Sequence, residues 1–233
     1  GVQTCALPIY SPSSLRRYAT TSGANVDETT SAAKKGKSDL KLFDEFASFL
    51  QKQQAQIIAE IEELEKEYYD NSKEESNNPN PEFSNDCWGI FSAEDTSDAG
   101  SGVSSGGITR VIQKGNIVEK GACSISLIQG GKLTSERAES IRGRQEDESS
   151  EGINVKEGDT YYAAALSMVL HTRSPMVPTF RSDVRIFLVE SSSGGGETPL
   201  AWFGGGSDLT PYFLFDEDIV CFHERLLDLC NKH

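Results

Sequence analysis

The stretch WFGGGSDLTPYF, residues 202–213, places three consecutive glycines between bulky aromatic side chains and a single acid, Asp208. Glycines let the backbone approach a flat or bulky ligand closely, because no Cβ atom intervenes. An ionised aspartate only accepts hydrogen bonds, so Asp208 could accept several ring N–H groups at once. Two interpretations stay open: a ligand floor made by Gly204, Gly205 and Gly206, or a glycine-rich hairpin whose aspartate binds its own backbone.

A second segment, residues 167–187, gathers positive charge in an otherwise acidic chain. It contains Arg173, Arg181 and Arg185, together with His171. Two prolines within it exclude a helix and favour an extended loop. Because arginine holds carboxylates through two parallel hydrogen bonds, the segment suits a carboxylate ligand. The alternative is a solvated basic loop that balances the chain's own acids.

Hydrophobic periodicity predicts the elements that would position these residues. Apolar residues recur at three- and four-residue steps, which predicts an amphipathic helix that begins at Ser38 or Asp39 and ends near Asn71. We interpret its apolar face as a core-packing face. That face comprises Phe43, Phe46, Leu50, Ile57, Ile61, Leu64 and Tyr68.

The pattern in the middle of the chain predicts successive antiparallel strands, and the pattern after them predicts a further helix. The predicted strands are 108–113, 117–120, 123–128, 161–170 and 185–190, and a further strand ends at 202–203. A turn is predicted at 114–116, and helices at 135–144 and 216–232. This order predicts an α+β fold. The glycine-rich runs do not have the spacing of a dinucleotide-binding or P-loop motif.

Composition excludes several classes of function. The formal net charge is -14, and nucleic-acid binding would require clustered positive charge. No apolar run reaches the roughly 18 residues of a membrane helix. Five scattered cysteines without a CxxC pair and only three histidines offer no metal-ligand spacing. We therefore predict no metal site, and free or buried thiols in a reducing compartment.

The sequence divides into a tail, 1–37, and a folded domain, 38–233. The tail lacks apolar periodicity and is interpreted as disordered. Its part SPSSLRRYATTS fits the end of an organelle transit peptide, with an ordinary disordered tail as the alternative. The first ten residues, GVQTCALPIY, look like a translated sequencing adapter and are treated as non-native. A mitochondrial or plastid location is expected, with the cytoplasm as the alternative.

Five segments, in order, resemble the oxygen-dependent coproporphyrinogen-III oxidase family, and WFGGGSDLTPYF is the most diagnostic. The others are SNDCW (84–88), GGITRVIQKGNIVEKGACSIS (106–126), SMVLH followed by SPMVPT (167–179), and DEDIVCFHERLLDLC (216–230). The resemblance covers about residue 40 to the last residue. Family members continue well past this final helix, so we expect a truncated domain that is incomplete at its C-terminus.

The resemblance implies a large flat antiparallel sheet flanked by helices, and a homodimer. It also implies the conversion of two propionates of coproporphyrinogen III to vinyl groups with O₂, giving protoporphyrinogen IX in haem biosynthesis. The implied oxidation uses no cofactor. Asp208 matches the acid that holds the pyrrole N–H groups beside the glycines, Arg185 matches a propionate-binding arginine, and Ser167 matches a substrate-contacting serine. His171 and His223 match histidines described as metal-associated in bacterial members, but the other ligands are missing.

Two departures from the family pattern concern the residues nearest the chemistry. The pattern P-T-x-H-x-N-x-R stands here as PTFRSDVR, residues 178–185. Arg181 replaces the proton-donating histidine, and arginine cannot shuttle protons near neutral pH. Asp183 replaces a substrate-contacting asparagine, and we expect Arg181 to neutralise its charge. Three functions compete: the oxidase, a catalytically impaired tetrapyrrole-binding paralogue, and a non-catalytic interaction protein that uses the long helix.

Overall fold

The computed structural model describes residues 31–72, 81–91, 104–142, 155–190 and 200–232 of the chain. The predicted tail lies mostly outside these residues, and its disorder stays a prediction. The elements in chain order are α1 (Ser31–Ser72), β1 (Ser84–Gly89), β2 (Ser104–Gln113), β3 (Val118–Lys132), α2 (Ser135–Arg142), β4 (Thr160–Thr172), β5 (Thr179–Glu190), β6 (Leu200–Thr210) and α3 (Asp216–Cys230).

The six strands form one antiparallel sheet whose spatial order follows the chain, from β1 to β6. This confirms the predicted α+β fold with an antiparallel sheet and helices. The two short strands predicted at 117–120 and 123–128 are parts of one strand, β3. The irregularity in its pairing with β4 lies between Val118 and Lys120, and the pairing is continuous through residues 121–122, where the division was predicted.

Helix α1 covers one face of the sheet, called the α1 face below. Phe43, Ala47 and Leu50 pack there against every second residue of β3, β4 and β5, as the period of two in a strand requires. The sheet residues in this cluster are Cys123, Ile125, Leu127, Ala164, Leu166 and Ile186. Further along the helix, Ile58 and Ile61 pack against Ile112 and Val118.

The predicted end of this helix, near Asn71, agrees with the observed end at Ser72, but its start and its buried face near the C-terminus differ from the prediction. It begins at Ser31, so Ser38 and Asp39 are helical residues and not caps. Near its C-terminus, Leu64 and Tyr68 are 53% and 47% exposed, although both had been assigned to the apolar face. Glu65 is fully buried in their place. The buried face of α1 continues at helical spacing, but its next member is the charged residue Glu65. A pattern of apolar residues alone therefore could not trace the buried face to the end of the helix.

Two polar side chains of α1 bind the sheet's backbone. Gln54 donates from Nε2 to the carbonyl oxygens of Ile108, at 2.9 Å, and Cys123, at 2.8 Å. Three turns further along, the carboxylate of Glu65 accepts hydrogen bonds from three successive backbone N–H groups in the β2–β3 turn. The donors are Asn116, Ile117 and Val118.

The turn residue Gly115 makes the close approach of Glu65 possible. A Cβ atom there would lie 2.6 Å from Glu65 Oε1 and 2.3 Å from the carbonyl oxygen of Val118. Arg173, in the β4–β5 connection, supports the same turn by donating from Nε to the Gly115 carbonyl oxygen at 3.1 Å. Arg173 therefore belongs to the scaffold rather than to a group of ligand-binding arginines.

The described residues contain four cysteines, and none of them forms a disulfide bond with another. Cys123 is buried beneath α1, and burial raises the pKa of its thiol to about 11, although nearby Arg110 opposes the shift. The thiol therefore stays protonated and unreactive at neutral pH. None of the described helices is both long enough and apolar enough to cross a membrane.

Replacing Glu65 by alanine tests the bond between helix and turn. Glu65→Ala leaves three backbone N–H groups without their acceptor, so we expect the free energy of unfolding to fall by at least about 3 kcal/mol. Glu63→Ala, an exposed site on the same helix, should change it by less than about 0.5 kcal/mol. Urea unfolding of both variants measures the difference, and equal losses would contradict this role for Glu65.

Candidate functional site

The sheet face opposite α1, called the open face below, carries most of the residues singled out in the sequence. Because Leu166, Val184 and Phe203 pack with the α1 cluster, their strand neighbours point the other way. Pairing aligns Ser167 with Asp183, and Asp183 with Gly206. The residues brought together are Ser167 from β4, Arg181, Asp183 and Arg185 from β5, and Gly204, Gly206 and Asp208 from β6.

The extended loop predicted for residues 167–187 is wrong in most of its length. β4 continues to Thr172 and β5 begins at Thr179, so only 173–178 connects them. The prolines lie in this short connection and leave the flanking residues free to pair. As a result the site residues have strand geometry, in which alternate side chains share a face.

The three glycines do not form a hairpin, because β6 runs through them from Leu200 to Thr210. None of the three has a positive φ, so no turn conformation explains them. A Cβ atom at Gly204 would lie 3.7 Å from Arg185 Cγ, and one at Gly206 would lie 4.0 Å from Asp183 Oδ1. Both distances are ordinary contacts, so the protein's own packing does not require glycine at these two positions.

Gly205 differs from its neighbours because it faces the α1 side. A Cβ atom there would lie 2.5 Å from the backbone oxygen of Asp183 and 3.3 Å from Cα of Val184. The structure therefore separates the triplet into one glycine that packing requires and two that leave the open face bare.

Asp183 forms an ion pair with Arg185, and the predicted pairing with Arg181 is wrong. Arg185 Nη2 lies 2.8 Å from Asp183 Oδ2, with side chains 58% and 36% exposed. Arg181 is paired across the sheet with Asp208. Among the described residues, Arg181 makes no ion pair. The site thus contains one arginine that already holds a carboxylate and one that does not.

Asp208 lies at the end of the floor nearest α3. Its Oδ2 accepts a hydrogen bond from the hydroxyl of Thr210 at 2.9 Å, while Oδ1 has no partner among the described residues. Asp208 also lines a cleft of about 220 Å³ between β6 and α3. Apolar side chains such as Ile219 and Phe222, together with His223, border the cleft.

A row of hydroxyl groups that was not among the predicted site residues continues the site across the sheet. Ser124 on β3 pairs with Ser167, and its hydroxyl lies 2.9 Å from that of Thr109 on β2. Ser126 is in register with Ala165. The alternation of serine with apolar residues in CSISL, residues 123–127, could have signalled that β3 has one polar face.

The small residues of β3 and β4, on one side of the β5 side chains, and those of β6, on the other side, are together called the small-residue floor of the open face. Its members are Ser124, Ser126, Ala165, Ser167, Gly204 and Gly206. At the end opposite Asp208, three aromatic side chains on the same face contact one another in series and are called the aromatic wall. They are Tyr161, Phe187 and Trp202.

The described residues offer no group of three or more histidine, cysteine, aspartate or glutamate side chains that could hold a metal ion. His171 Nδ1 lies 3.4 Å from the hydroxyl of Thr179, and His223 lies in the cleft beside α3. The two histidines thus lie on different elements, His171 on β4 and His223 on α3. The chemistry that the open face offers is binding: an acceptor at Asp208, cations at Arg181 and Arg185 on β5, and small residues on the strands at either side of β5.

Residues 45–233 match the family model described as coproporphyrinogen III oxidase. A protein of Drosophila melanogaster named oxygen-dependent coproporphyrinogen-III oxidase is 39% identical over 130 residues, which is 55% of this chain and 30% of the relative. A mouse protein of the same name, with the addition "mitochondrial", is 40% identical over 131 residues, 55% of this chain and 27% of the relative.

A bacterial protein with this name, from Francisella tularensis subsp. novicida, is 36% identical over 127 residues, or 54% of this chain and 36% of the relative. The chain thus spans about a third of the length of the curated relatives it matches.

The different surroundings of the three glycines give a test based on stability. Gly205→Ala should lower the free energy of unfolding by about 1–3 kcal/mol, because its methyl group overlaps the backbone of β5. Gly204→Ala and Gly206→Ala should leave stability unchanged or raise it by up to about 1 kcal/mol, since a strand gains from losing glycine. Thermal unfolding of the three variants measures these changes. A similar loss of stability in all three would contradict the assignment of Gly205 to one face and of Gly204 and Gly206 to the other.

Proposed function

Because the chain belongs to the coproporphyrinogen III oxidase family, we propose that it binds coproporphyrinogen III on the open face. The proposed reaction is the oxidative decarboxylation of two propionates to vinyl groups with O₂ as co-substrate, giving protoporphyrinogen IX. The observation that carries the proposal is the small-residue floor with a partly free carboxylate, Asp208, at its end. Such a floor accommodates a broad ring, and the carboxylate accepts hydrogen bonds from the ring's N–H groups.

The orientation of the glycines supports a ligand over the floor. Gly204 and Gly206 have no side chain, although the surrounding protein has room for a methyl group at both positions. A ring lying on β6 would use that space, because each added Cβ atom would lift it from the backbone. The hydroxyl of Ser167 stands in the same floor, one strand away from Asp183.

The arginines support binding of the substrate's propionates. Arg185 has the geometry to hold a carboxylate, since it already holds that of Asp183 at 2.8 Å. A propionate that binds Arg185 must therefore displace Asp183 or share the guanidinium with it. Arg181 is exposed and has no carboxylate partner among the described residues, so it is a second cation available to a propionate.

In the proposed reaction each propionate loses a hydride equivalent from the carbon next to the ring. The bond to the carboxylate then breaks, its electron pair forms the vinyl C=C bond, and CO₂ leaves. O₂ accepts the hydrogen and both electrons. The chain's own contribution is to orient the ring through Asp208 and the propionates through Arg185. An arginine side chain is a cation and not a proton donor in catalysis, so the role available to Arg181 is to stabilise negative charge.

Location and assembly are part of the same proposal. The name of the mouse relative includes "mitochondrial", which together with the Arg- and Ser-containing tail supports an organelle location for this chain. A homodimer of the full-length protein is proposed from the family resemblance.

Binding of coproporphyrin III, the stable oxidised form of the substrate, tests the site. Asp208→Ala removes the central acceptor, so we expect affinity to fall at least about tenfold in a fluorescence titration. Asp218→Ala removes an acid from the same cleft and should leave affinity within about twofold. Equal binding by the Asp208 variant and the unaltered chain would refute the proposed role of Asp208.

A second candidate function, a tetrapyrrole-binding paralogue with impaired catalysis, is favoured by Arg181 at the proton-donor position. The third candidate, interaction through the long helix, has no such support because α1 packs its apolar face into the core.

Restoring a titratable group at position 181 separates the oxidase from the impaired paralogue. We expect the full-length protein with Arg181→His to form protoporphyrinogen IX at least as fast as the natural sequence, because histidine exchanges protons near neutral pH. Arg181→Lys, which retains a cation, should give no such gain. If Arg181→His abolished an existing activity, arginine itself would be required at this position.

A further inference from the structure

Arg137, in the first turn of α2, holds its guanidinium beside the aromatic wall. The guanidinium carbon lies 5.3 Å from the centre of the Tyr161 ring and 5.8 Å from that of Phe187. The two rings stack with centres 5.2 Å apart and an angle of 9°. Ala138, the next residue, is buried in the cluster beneath α2, which anchors the first turn of the helix over the sheet.

The contacts of Arg137 position its charge without using its hydrogen-bond donors. A cation–π contact orients a guanidinium through its flat face, whereas carboxylates bind the N–H groups at its edge. Arg137 is exposed, and within the described ranges its side chain makes neither an ion pair nor a hydrogen bond. It is therefore a pre-oriented cation with free donors.

The aromatic wall borders the small-residue floor directly. Phe187 follows Arg185 by two residues on β5, so the two share a face and are about 7 Å apart along the strand. Trp202 pairs with Phe187, and Gly204 pairs with Arg185. A ring that lies over Gly204 would meet the aromatic wall at its edge, and a carboxylate on that edge would come within reach of α2.

We propose that Arg137 forms an additional carboxylate subsite, which binds a propionate on the edge of the tetrapyrrole that faces the aromatic wall. The proposal rests on the proposed function, since it takes the open face as the tetrapyrrole site. Arg137 binds and orients the ligand through this propionate, and the bare floor places the ring between the aromatic wall and Asp208. The ligand class is a flat tetrapyrrole with carboxylates on opposite edges.

The test compares two ligands on three proteins. The ligands are coproporphyrin III and its tetra-amide, which keeps the ring and side-chain length but has no negative charge. The proteins are the unaltered chain, Arg137→Gln, and Arg142→Gln, which removes a second exposed arginine from the same helix. We expect Arg137→Gln to weaken binding of the acid by about tenfold and of the amide by less than about twofold, and Arg142→Gln to change neither by more than about twofold.

The possible results separate this proposal from the function on which it rests. Equal weakening of both ligands would show that Arg137 acts only by packing α2, and no weakening would show that no carboxylate binds there. Both results overturn the subsite and leave the tetrapyrrole site standing. Failure of the unaltered chain to bind coproporphyrin III would overturn the proposed function, and the subsite with it.

Discussion

The architecture depends on how the buried carboxylate of Glu65 is satisfied. A polar side chain is stable in the interior only with hydrogen-bond partners, and here three consecutive N–H groups of the β2–β3 turn provide them. Gln54, eleven residues earlier, binds two strand carbonyls in the same helix–sheet interface. Together the two side chains fix both the rotation of α1 and its position along its axis. That placement commits one sheet face to the core and leaves the other uncovered by α1.

Because of this placement, neighbouring residues of one strand have different roles. In β6, Phe203 and Gly205 serve packing, and Gly204, Gly206 and Asp208 face the site. In β5, Val184 and Ile186 serve packing, and Arg181, Asp183 and Arg185 face the site. A strand that supplies both core and site in this way allows each function to change at separate positions, because alternate side chains do not share neighbours.

Much of this could be predicted from the sequence, for reasons that differ between elements. The amphipathic stripe of α1, the alternation in CSISL and the apolar run in RIFLVE are local patterns, so α1 and parts of β3 and β5 could be predicted, whereas β1 could not. The C-terminal end of β4 and the N-terminal end of β5 could not be predicted. The two strands pair up to the six-residue connection between them, and this pairing outweighs the loop preference of the prolines in that connection. Glu65 was missed because a charged residue interrupts an apolar pattern, and its partners lie about fifty residues away. Arg137 was missed because its ring neighbours belong to two distant strands.

The ion pair between Asp183 and Arg185 has a consequence for how ionic strength acts on the site. An arginine that meets a carboxylate from solution normally creates a new attraction, which dissolved salt screens. Here the arginine already has a carboxylate, so a ligand that takes Arg185 exchanges one such attraction for another. Salt weakens both pairs alike, and this part of the binding free energy becomes nearly independent of it. Arg185 thus selects a carboxylate by its reach and geometry more than by its charge.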